Sequence, residues 1–282
     1  MFALNVHSIC KAAGPILITR PIEQGREFAA LVRSRLSEGR VLVPDTGVDD
    51  VFSFLPVLEI EPIFFNLPDS GLFSGLIFSS ANGVRVFADR CKEEGEKGFN
   101  DLPVFTVGAF TAHTARAAGF ADIRHVAEDA RGLCAFFFEH RENFNSTSRL
   151  LSVRGADVHA DFEDILCPDL CDVSSLVAYT ASAVSFHSHD VLELLSGQPI
   201  ACVTFFSKRT ALIFIENMRT FPALLNLKKV DALCISRGVL EAVRPSWEGH
   251  VYCASSPNQD GMVDLVVQYI REKNMYEAER IK

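Results

Sequence analysis

The sequence predicts an α/β protein built from two similar lobes, each with its own parallel sheet, and three observations lead to this fold class. Short apolar runs alternate with segments whose apolar residues recur at helical spacing, as in parallel sheets covered by helices. The same strand-end landmarks return in the second half of the chain. The chain has 282 residues, and at about 100–200 residues per domain this length corresponds to two domains.

Each predicted strand is a short apolar run bounded by Pro, Gly, Ser or Arg. Strands are predicted at residues 15–21, 75–80, 103–108, 149–155, 202–207, 231–236 and 250–256. Helices are predicted between and after them, at residues 23–37, 81–95, 109–119, 131–144, 208–218, 237–243 and 260–273. The first helix has an apolar stripe that includes Phe28, Val32 and Leu36, and Gly119 stands in the capping position that ends the third.

Two extended segments, 56–65 and 172–186, break this alternation because no helix follows them at once. They are rich in β-branched and aromatic residues and lie between the halves, so we expect them to be strands that join two lobes. The acidic, turn-rich segment 45–54 is expected to be a loop. The C-terminal segment 274–282 is expected to be a frayed polar tail.

An internal repeat is indicated by the positions of the strand ends. Three pairs of strand ends recur in the same order at nearly the same offset: Arg20 and Arg154, 134 residues apart; Ser80 and Ser207, 127 apart; Gly108 and Ser236, 128 apart. A duplicated α/β half accounts for this order. The alternative is chance, since every α/β protein contains strands that end in a small residue before a helix.

Composition and charge exclude several classes of protein. The formal net charge is −9 and 48% of the residues are hydrophobic, so the chain can build full cores but lacks the basic surface of a general nucleic-acid binder. The sequence contains no apolar run long enough for a membrane span and no signal peptide at its start. Its eight Cys form no CxxC pair. We therefore expect a cytoplasmic protein with reduced, mostly buried thiols and no membrane partner.

Ligand-binding candidates lie where predicted strands end and helices begin. Free backbone N–H groups and hydroxyls at a helix N-terminus bind carboxylate or phosphate, and in parallel sheets these ends face the ligand. The candidate residues are Ser79, Ser80, Ala81 and Asn82; Gly108, Ala109, Phe110 and Thr111; Ser207, Lys208 and Arg209; and Ser236 and Arg237. Plain N-capping by Ser and Thr is the alternative for each junction taken singly.

Three further candidates are single side chains. Tyr179, one of only four Tyr, lies in the apolar segment LVAYT, where a phenol could donate a proton to a leaving group. A packing role for its ring is the alternative. Arg20 and Arg154, at equivalent strand ends, could contact an anionic substrate, or each could form a structural ion pair.

Several known site types are absent from the sequence. Neither GxGxxG nor GxxxxGK[ST] occurs, so a nucleotide cofactor has little support, and GxSxG is missing as well. His187 with His189 and Cys167 with Cys171 are the only close pairs, and neither is joined by a second pair at metal-ligand spacing. We therefore expect no metal and no cofactor.

The ordered series of short motifs resembles the uroporphyrinogen-III synthase family. The motifs are LITRP (17–21), PVLEIEP (56–62), IFSSANGV (77–84), FTVGAFTAHTARAAGF (105–120), LLSVRG (150–155), VAYT (177–180), FFSKRTA (205–211) and CIS (234–236). The resemblance spans residues 15–270, although each motif alone is weak. It implies two α/β lobes joined by a two-stranded antiparallel connector, with the active-site cleft between the lobes. Lobe one would take residues 1–54 and 182–282, lobe two 63–172, and the connector 55–62 and 173–181.

The resemblance also implies an activity. Members of this family cyclise hydroxymethylbilane, a linear tetrapyrrole with eight carboxylates, to uroporphyrinogen III. The reaction inverts ring D through a spiro intermediate and releases water without a cofactor. A monomeric lyase is implied. The runner-up function is a two-lobed binding protein that closes on an anionic small molecule without chemistry.

Four residues carry over from the family pattern. Tyr179 matches the tyrosine proposed to assist loss of the hydroxyl, Thr111 matches a cleft threonine, and Ser80 and Ser207 match hydroxyls at equivalent strand ends. The turn 236–239 departs from the pattern, because it reads Ser-Arg-Gly-Val where many members have Gly-Pro-Thr-Thr. Hydroxyl contacts at that turn are therefore in doubt. Residues 1–14 have no family counterpart.

Overall fold

The computed structural model describes residues 14–38, 51–144, 148–157, 162–166 and 171–280, with side chains up to residue 273. The chain divides into two compact units. Unit 1 takes the chain up to Glu59 and again from Ala183 onward, and unit 2 takes Ile60–Ser182. The first unit is thus completed only after the chain has made the second.

Unit 1 is built on a parallel sheet of five strands. Its strands are β1 (Ile16–Ile18), β2 (Phe52–Phe54), β9 (Cys202–Phe205), β10 (Asp231–Cys234) and β11 (Val251–Cys253), in the order β11-β10-β9-β1-β2. Each neighbouring pair is parallel. The carboxyl ends of all five strands therefore lie along one edge of the sheet, which is where a doubly wound sheet places its ligands.

Helices cover both faces of this sheet. They are α1 (Ile22–Glu38), α6 (Ser188–Ser196), α7 (Lys208–Thr220), α8 (Arg237–Val243) and α9 (Gln259–Arg280). One buried core contains Leu17 and Val203 of the sheet with Phe214 and Trp247, and the other contains Ile16 and the residues of α1 and α9 that face it. Alternate residues of the short strands supply the two cores, as the period of two requires.

Unit 2 contains a six-stranded sheet. Its strands are β3 (Leu58–Pro62), β4 (Gly75–Phe78), β5 (Val104–Val107), β6 (Ile123–Ala127), β7 (Arg149–Gly155) and β8 (Asp172–Ala183), in the order β3-β8-β7-β4-β5-β6. The five strands from β8 to β6 pair in parallel. The helices are α2 (Ala81–Glu94), α3 (Ala109–Ala118), α4 (Ala130–Glu139) and the short α5 (Phe162–Ile165).

Phenylalanine rings fill the core of unit 2. The Phe87 ring of α2 lies 5.0 Å from that of Phe99 and 6.0 Å from that of Phe78, both edge to face. All three are fully buried. Such ring pairs contribute about 0.5–1.5 kcal/mol each beyond the apolar area they bury, so the high Phe content serves packing here.

The strand orders confirm the fold class and the internal repeat. Read from the same side, β2-β1-β9-β10-β11 of unit 1 corresponds to β8-β7-β4-β5-β6 of unit 2. The three pairs of strands matched by their ends in the sequence, β1 with β7, β9 with β4 and β10 with β5, occupy equivalent positions. Unit 1 is thus a circularly permuted copy of the topology of unit 2.

The segments β3 and β8 pair with each other in opposite directions. The Val184 N–H donates to the Val57 carbonyl at 3.0 Å, and the Ile63 N–H donates to the Ala178 carbonyl at 2.8 Å. As the number rises by six in one segment it falls by six in the other, which is antiparallel pairing. These are the two extended segments expected from the sequence to join the lobes.

Five details of secondary structure were predicted wrongly or missed. Phe52–Phe54, expected in a loop, is strand β2, and residues 45–50 of that expected loop lie outside the described part. The strand β6 and the helices α5 and α6 were not expected. Helix α9 continues to Arg280, where a frayed tail was expected, because 274–280 carries Glu, Arg, Met and Ala, all good helix formers.

The thiols and the helices bear on two other expectations. Six cysteines are free; Cys91, Cys134, Cys171, Cys202 and Cys234 are buried and Cys253 is partly buried, whereas Cys10 and Cys167 fall outside the described residues, as do residues 1–13. Across the ranges given above, no helix combines the length and apolarity that crossing a membrane would require.

Candidate active site

The site in unit 2 forms where β4 ends and α2 begins. Ser80 is the N-cap of α2, and its hydroxyl accepts a hydrogen bond from the Asn82 N–H at 3.2 Å. The Tyr179 phenol, from β8, also hydrogen-bonds the Ser80 hydroxyl. Ser79 is exposed and Ala81 is buried beneath the first turn. Two sequence candidates separated by 99 residues are therefore in direct contact.

Close packing against two glycines fixes the position of the Tyr179 ring. Gly155 lies opposite Tyr179 in the β7–β8 pairing, next to a register shift between Arg154 and Gly155. A Cβ at Gly155 would stand 2.9 Å from the ring carbons Cε2 and Cζ, and one at Gly83 would stand 3.8 Å from Cε1. The absence of a side chain at Gly155 is thus what allows the ring to lie over the end of β7.

The environment of Tyr179 keeps its phenol protonated. Burial raises the pKa of Tyr179 above its ordinary value, although the hydrogen bond with Ser80 opposes the shift. Because the ordinary value is already about 10, the phenol holds its proton at neutral pH. It can therefore act as a proton donor and hydrogen-bond donor, but not as a base, in this range.

The second junction of unit 2 joins β5 to α3. Gly108 has φ +83°, a conformation in which a side chain would be strained, and it leads directly into α3. Thr111 is buried in the first turn, whereas Ala109 is exposed. The guanidinium of Arg85, from α2, lies 5.8 Å from the Phe110 ring and also donates to the Asn82 side chain at 3.5 Å. Arg85 thus connects this junction with the one at Ser80.

Arg154 is half-buried at the end of β7, where its Nη1 donates to the Gly155 carbonyl at 3.1 Å. The structure therefore places Arg154 beside the Gly155 backbone, against which the Tyr179 ring packs. Together with the two junctions, it gives unit 2 one group of candidates at the carboxyl edge of its sheet.

A pocket of about 560 Å³ lies at the carboxyl ends of β9 and β10 in unit 1. Its lining includes Ser207, Lys208 and Ser236, all candidates from the sequence, together with Phe206 and Pro257. A volume of this order holds a small ligand or one end of a larger one. The pocket therefore joins two of the predicted junctions into one concave surface.

Both serines of this pocket cap helices. The Ser207 hydroxyl accepts from the Thr210 N–H at 3.0 Å and lies 2.7 Å from the Thr210 hydroxyl, and the Ser236 hydroxyl accepts from the Val239 N–H at 3.4 Å. The capping alternative is thus correct for both. It does not exclude ligand binding, since the remaining N–H groups of the first turn still point out of the helix.

The cations of unit 1 are distributed around this pocket. Lys208, Arg209 and Arg237 are all exposed. Of these three, only Lys208 is among the residues that line the pocket. The Arg237 Nε donates to Glu241, a lining carboxylate, at 3.3 Å. This exposed ion pair offsets the negative charge that Glu241 would otherwise present to an anionic ligand.

Arg20, at the end of β1, is held by neutral side chains. Its guanidinium stacks 4.4 Å from the Phe206 ring and donates to Gln24 at 3.0 Å and to Gln259 at 3.3 Å. These contacts orient the guanidinium at the end of β1. Phe206 also lines the pocket, so Arg20 lies next to it.

Sequence reasoning missed several residues of these sites. Arg85, Gly155, Pro257 and Gln259 each hold or shape a candidate. They lie inside α2, at the end of β7, in the loop after β11 and at the start of α9, respectively. The spacing of Gln24 four residues after Arg20 is a signal that could have been found. The role of Gly155 depends on the pairing of β7 with β8, which no local pattern shows.

Fold and site together define a class: α/β proteins that present capped helix N-termini and a few cations to an anionic ligand at the carboxyl ends of parallel strands. A family model described as Uroporphyrinogen-III synthase HemD matches residues 51–264. The chain therefore belongs to the uroporphyrinogen-III synthase HemD family, which confirms the resemblance seen in its motifs. Family membership implies an enzyme of haem biosynthesis.

A solved structure shares the fold. A uroporphyrinogen-III synthetase from Helicobacter pylori is 15% identical with a TM-score of 0.57, and the alignment covers 90% of this chain and 99% of that one. A mutant uroporphyrinogen III synthase from Thermus thermophilus is 16% identical with a TM-score of 0.47, covering 92% of this chain and 99% of that one. No curated protein sequence matches the chain.

Proposed function

We propose that the chain cyclises hydroxymethylbilane to uroporphyrinogen III with inversion of ring D, as a lyase that uses no cofactor. The observation that carries this proposal is the protonated Tyr179 phenol paired with the Ser80 hydroxyl at a strand end. We further propose that the protein acts as a monomer in the cytoplasm, and that residues 55–62 and 173–181 are the connector between its lobes.

Tyr179 supports the first chemical step. The bond between the terminal methylene carbon and its hydroxyl oxygen breaks, the oxygen takes a proton, and water leaves. The pyrrole nitrogen lone pair stabilises the carbon cation that remains as an azafulvene. Tyr179 donates its hydrogen bond, or its proton, to the departing oxygen, while Ser80 fixes the direction of the phenol.

The later steps, ring closure and the inversion of ring D, depend on how the protein positions the chain of pyrroles. The cation must be attacked by the substituted carbon of ring D, and the resulting spiro intermediate then fragments and recloses. Correct alignment of reacting groups contributes up to about 7–11 kcal/mol to such steps. The carboxylates of the substrate would bind at helix N-termini, in the 560 Å³ pocket and beside Arg20. These contacts would fix the substrate without many buried cations.

A coupled assay tests the proposal. Hydroxymethylbilane is generated in situ, the protein is added, and the oxidised porphyrin isomers are separated. We expect isomer III in excess over isomer I, which forms without an enzyme. Isomer I alone, at the unassisted rate, would contradict the proposal and favour a non-catalytic binding protein.

A matched pair of variants tests the residue. Tyr179→Phe removes the hydroxyl but keeps the ring, and we expect the rate of isomer III formation to fall by at least about 100-fold with the fold intact. Tyr252→Phe, at a partly buried tyrosine of unit 1, should retain the parental rate. Equal rates for both variants would remove Tyr179 from the mechanism.

A further inference from the structure

Unit 2 contains a second cavity, of about 480 Å³, at the amino-terminal edge of its sheet. Ser74, which precedes β4, and Ser148, which precedes β7, lie in its lining. Ser80 follows β4 at the opposite edge, and six residues of strand at about 3.3 Å each separate the two edges by about 20 Å. The cavity is therefore distinct from the site at Tyr179 and has no part in the proposed reaction.

Aromatic rings form the walls of this cavity. The Phe105 ring lies 6.0 Å from those of both Phe136 and Phe144. Phe136 is itself held between two imidazoles, with the His125 ring stacked at 3.8 Å and the His140 ring at 4.3 Å. The walls are thus fixed by stacking, and they give the cavity an aromatic lining that suits a planar guest.

The polar groups of the cavity favour an anion. Arg124 and His140 line it, and the described residues of its lining include no carboxylate although the chain as a whole has a net charge of −9. Asp122, nearby, accepts from the Nε of Arg124 at 3.2 Å and from one Nη. A guanidinium has five N–H donors, so Asp122 occupies only part of this group.

His140 adds a nitrogen to the same surface. Its Nδ1 lies 2.9 Å from the Phe136 carbonyl, which can only accept, so Nδ1 carries the proton. In the neutral ring the other nitrogen, Nε2, is therefore an acceptor. Asn143, also in the lining, supplies an amide.

We propose that this cavity binds a small planar aromatic carboxylate. The ring would lie among Phe105, Phe136 and Phe144, and the carboxylate would accept from Arg124. A cavity of 480 Å³ exceeds the size of a single substituted ring, so a larger member of this class also fits.

A titration of the intact protein with benzoate at pH 6.5, monitored by ligand-observed NMR, tests the proposal. We expect a dissociation constant near 1 mM, in the range of a small fragment. Cyclohexanecarboxylate keeps the charge without the planar ring, and benzyl alcohol keeps the ring without the charge. Each should bind at least about fivefold more weakly.

Variants locate the binding. Arg124→Gln and Phe136→Leu should each weaken benzoate binding at least about fivefold, whereas Arg116→Gln, at an exposed arginine of α3, should not. Arg124 is exposed, so its variant keeps the test valid even if the Phe136 variant fails to fold. No saturable binding up to 10 mM, about ten times the expected constant, or equal binding by the Arg124 variant and the parent, would overturn the proposal.

Discussion

Replacing Gly155 by Ala tests whether the placement of the Tyr179 ring controls catalysis. The new Cβ would stand 2.9 Å from Cε2 and Cζ and 3.2 Å from the phenol oxygen. Carbon atoms at rest lie about 3.5–4.0 Å apart, so the ring must retreat by about 0.6–1 Å. Gly155 has no positive φ, so the backbone accepts Ala and the effect is purely steric.

The displacement acts on stability and on rate. Forcing a methyl group into a close-packed contact costs about 1–3 kcal/mol of folding free energy. Moving the phenol by close to 1 Å takes its oxygen out of line with Ser80, and misplacement of that size lowers a rate by about 100-fold. Urea unfolding measures the first effect, and the coupled isomer assay measures the second.

A double-variant cycle separates these two effects. In the Tyr179→Phe background the ring remains, so Gly155→Ala should still destabilise the protein, but the rate should fall by less than about threefold because the hydroxyl is already gone. Gly132→Ala is the control, since its Cβ would meet nothing closer than 3.5 Å in α4. The reasoning is refuted if Gly155→Ala keeps the parental rate, or loses the same factor in both backgrounds.

Three further outcomes are expected. Burial raises the pKa of Asp231, but hydrogen bonds from Lys273 and the Tyr269 phenol outweigh it and lower that pKa below its ordinary value. The ionised Asp231 carboxylate therefore contributes to the free energy of unfolding at neutral pH, and this contribution is lost as the pH falls through the lowered pKa. Asp231→Asn should cost about 2 kcal/mol at pH 7 and show a smaller loss of stability between pH 5 and 2.5 than the parent, in urea titrations at each pH. Burial raises the pKa of the Cys202 thiol, and the side chain is fully enclosed. After iodoacetamide treatment of the native protein at pH 8, mass spectrometry should therefore find Cys253 labelled, whereas Cys202 should be labelled only in denaturant. Equal labelling of the two cysteines in the native protein would contradict this expectation. Ser207→Ala removes the N-cap of α7 and should lower unfolding free energy by about 1 kcal/mol, whereas an unchanged midpoint would show that the cap is dispensable.

Local patterns were sufficient to predict most of the strands and every junction that carries a candidate residue. The strand at residues 149–155 and the helix at 237–243 have the bounds expected from sequence. Such elements combine a continuous apolar run with a capping residue, so local propensity and burial agree. The elements that were missed lack this agreement.

The strand β6 illustrates the first reason for failure. Its five residues, IRHVA, show neither a continuous apolar run nor a regular alternation, and at the edge of the sheet four of the five are partly buried or exposed. The strand β2 has only three residues and follows an acidic segment, so the sequence around it was interpreted as a loop. In both cases pairing with a neighbouring strand, rather than the sequence of the strand itself, decides the conformation.

The contact between Tyr179 and Ser80 illustrates the second reason. It depends on the order β8-β7-β4, on the shift of register after Arg154 and on the bare backbone of Gly155. None of these can be read from spacing along the chain. The candidates were therefore identified individually, whereas their grouping required the three-dimensional structure.

The path of the chain through the two units has a consequence for biosynthesis. Unit 2 is one continuous segment, Ile60–Ser182, so it can fold while the ribosome is still making the remainder. Strand β1 must wait, because the hydrogen bond from Thr19 to the Thr204 carbonyl joins residues 185 positions apart. During that interval the apolar β1 has no β9 beside it, which is the period of greatest risk of aggregation.

Folding of unit 2 lowers the entropic cost of bringing β1 and β9 together. Once Ile63 is bonded to Ala178, the path from Thr19 to Thr204 runs through 44 residues to Ile63 and 26 from Ala178. Closing a loop of about 70 residues instead of 185 costs about 0.9 kcal/mol less. The inserted unit thus acts as an intramolecular clamp, and the protein is expected to acquire its native structure in a fixed order, second unit first.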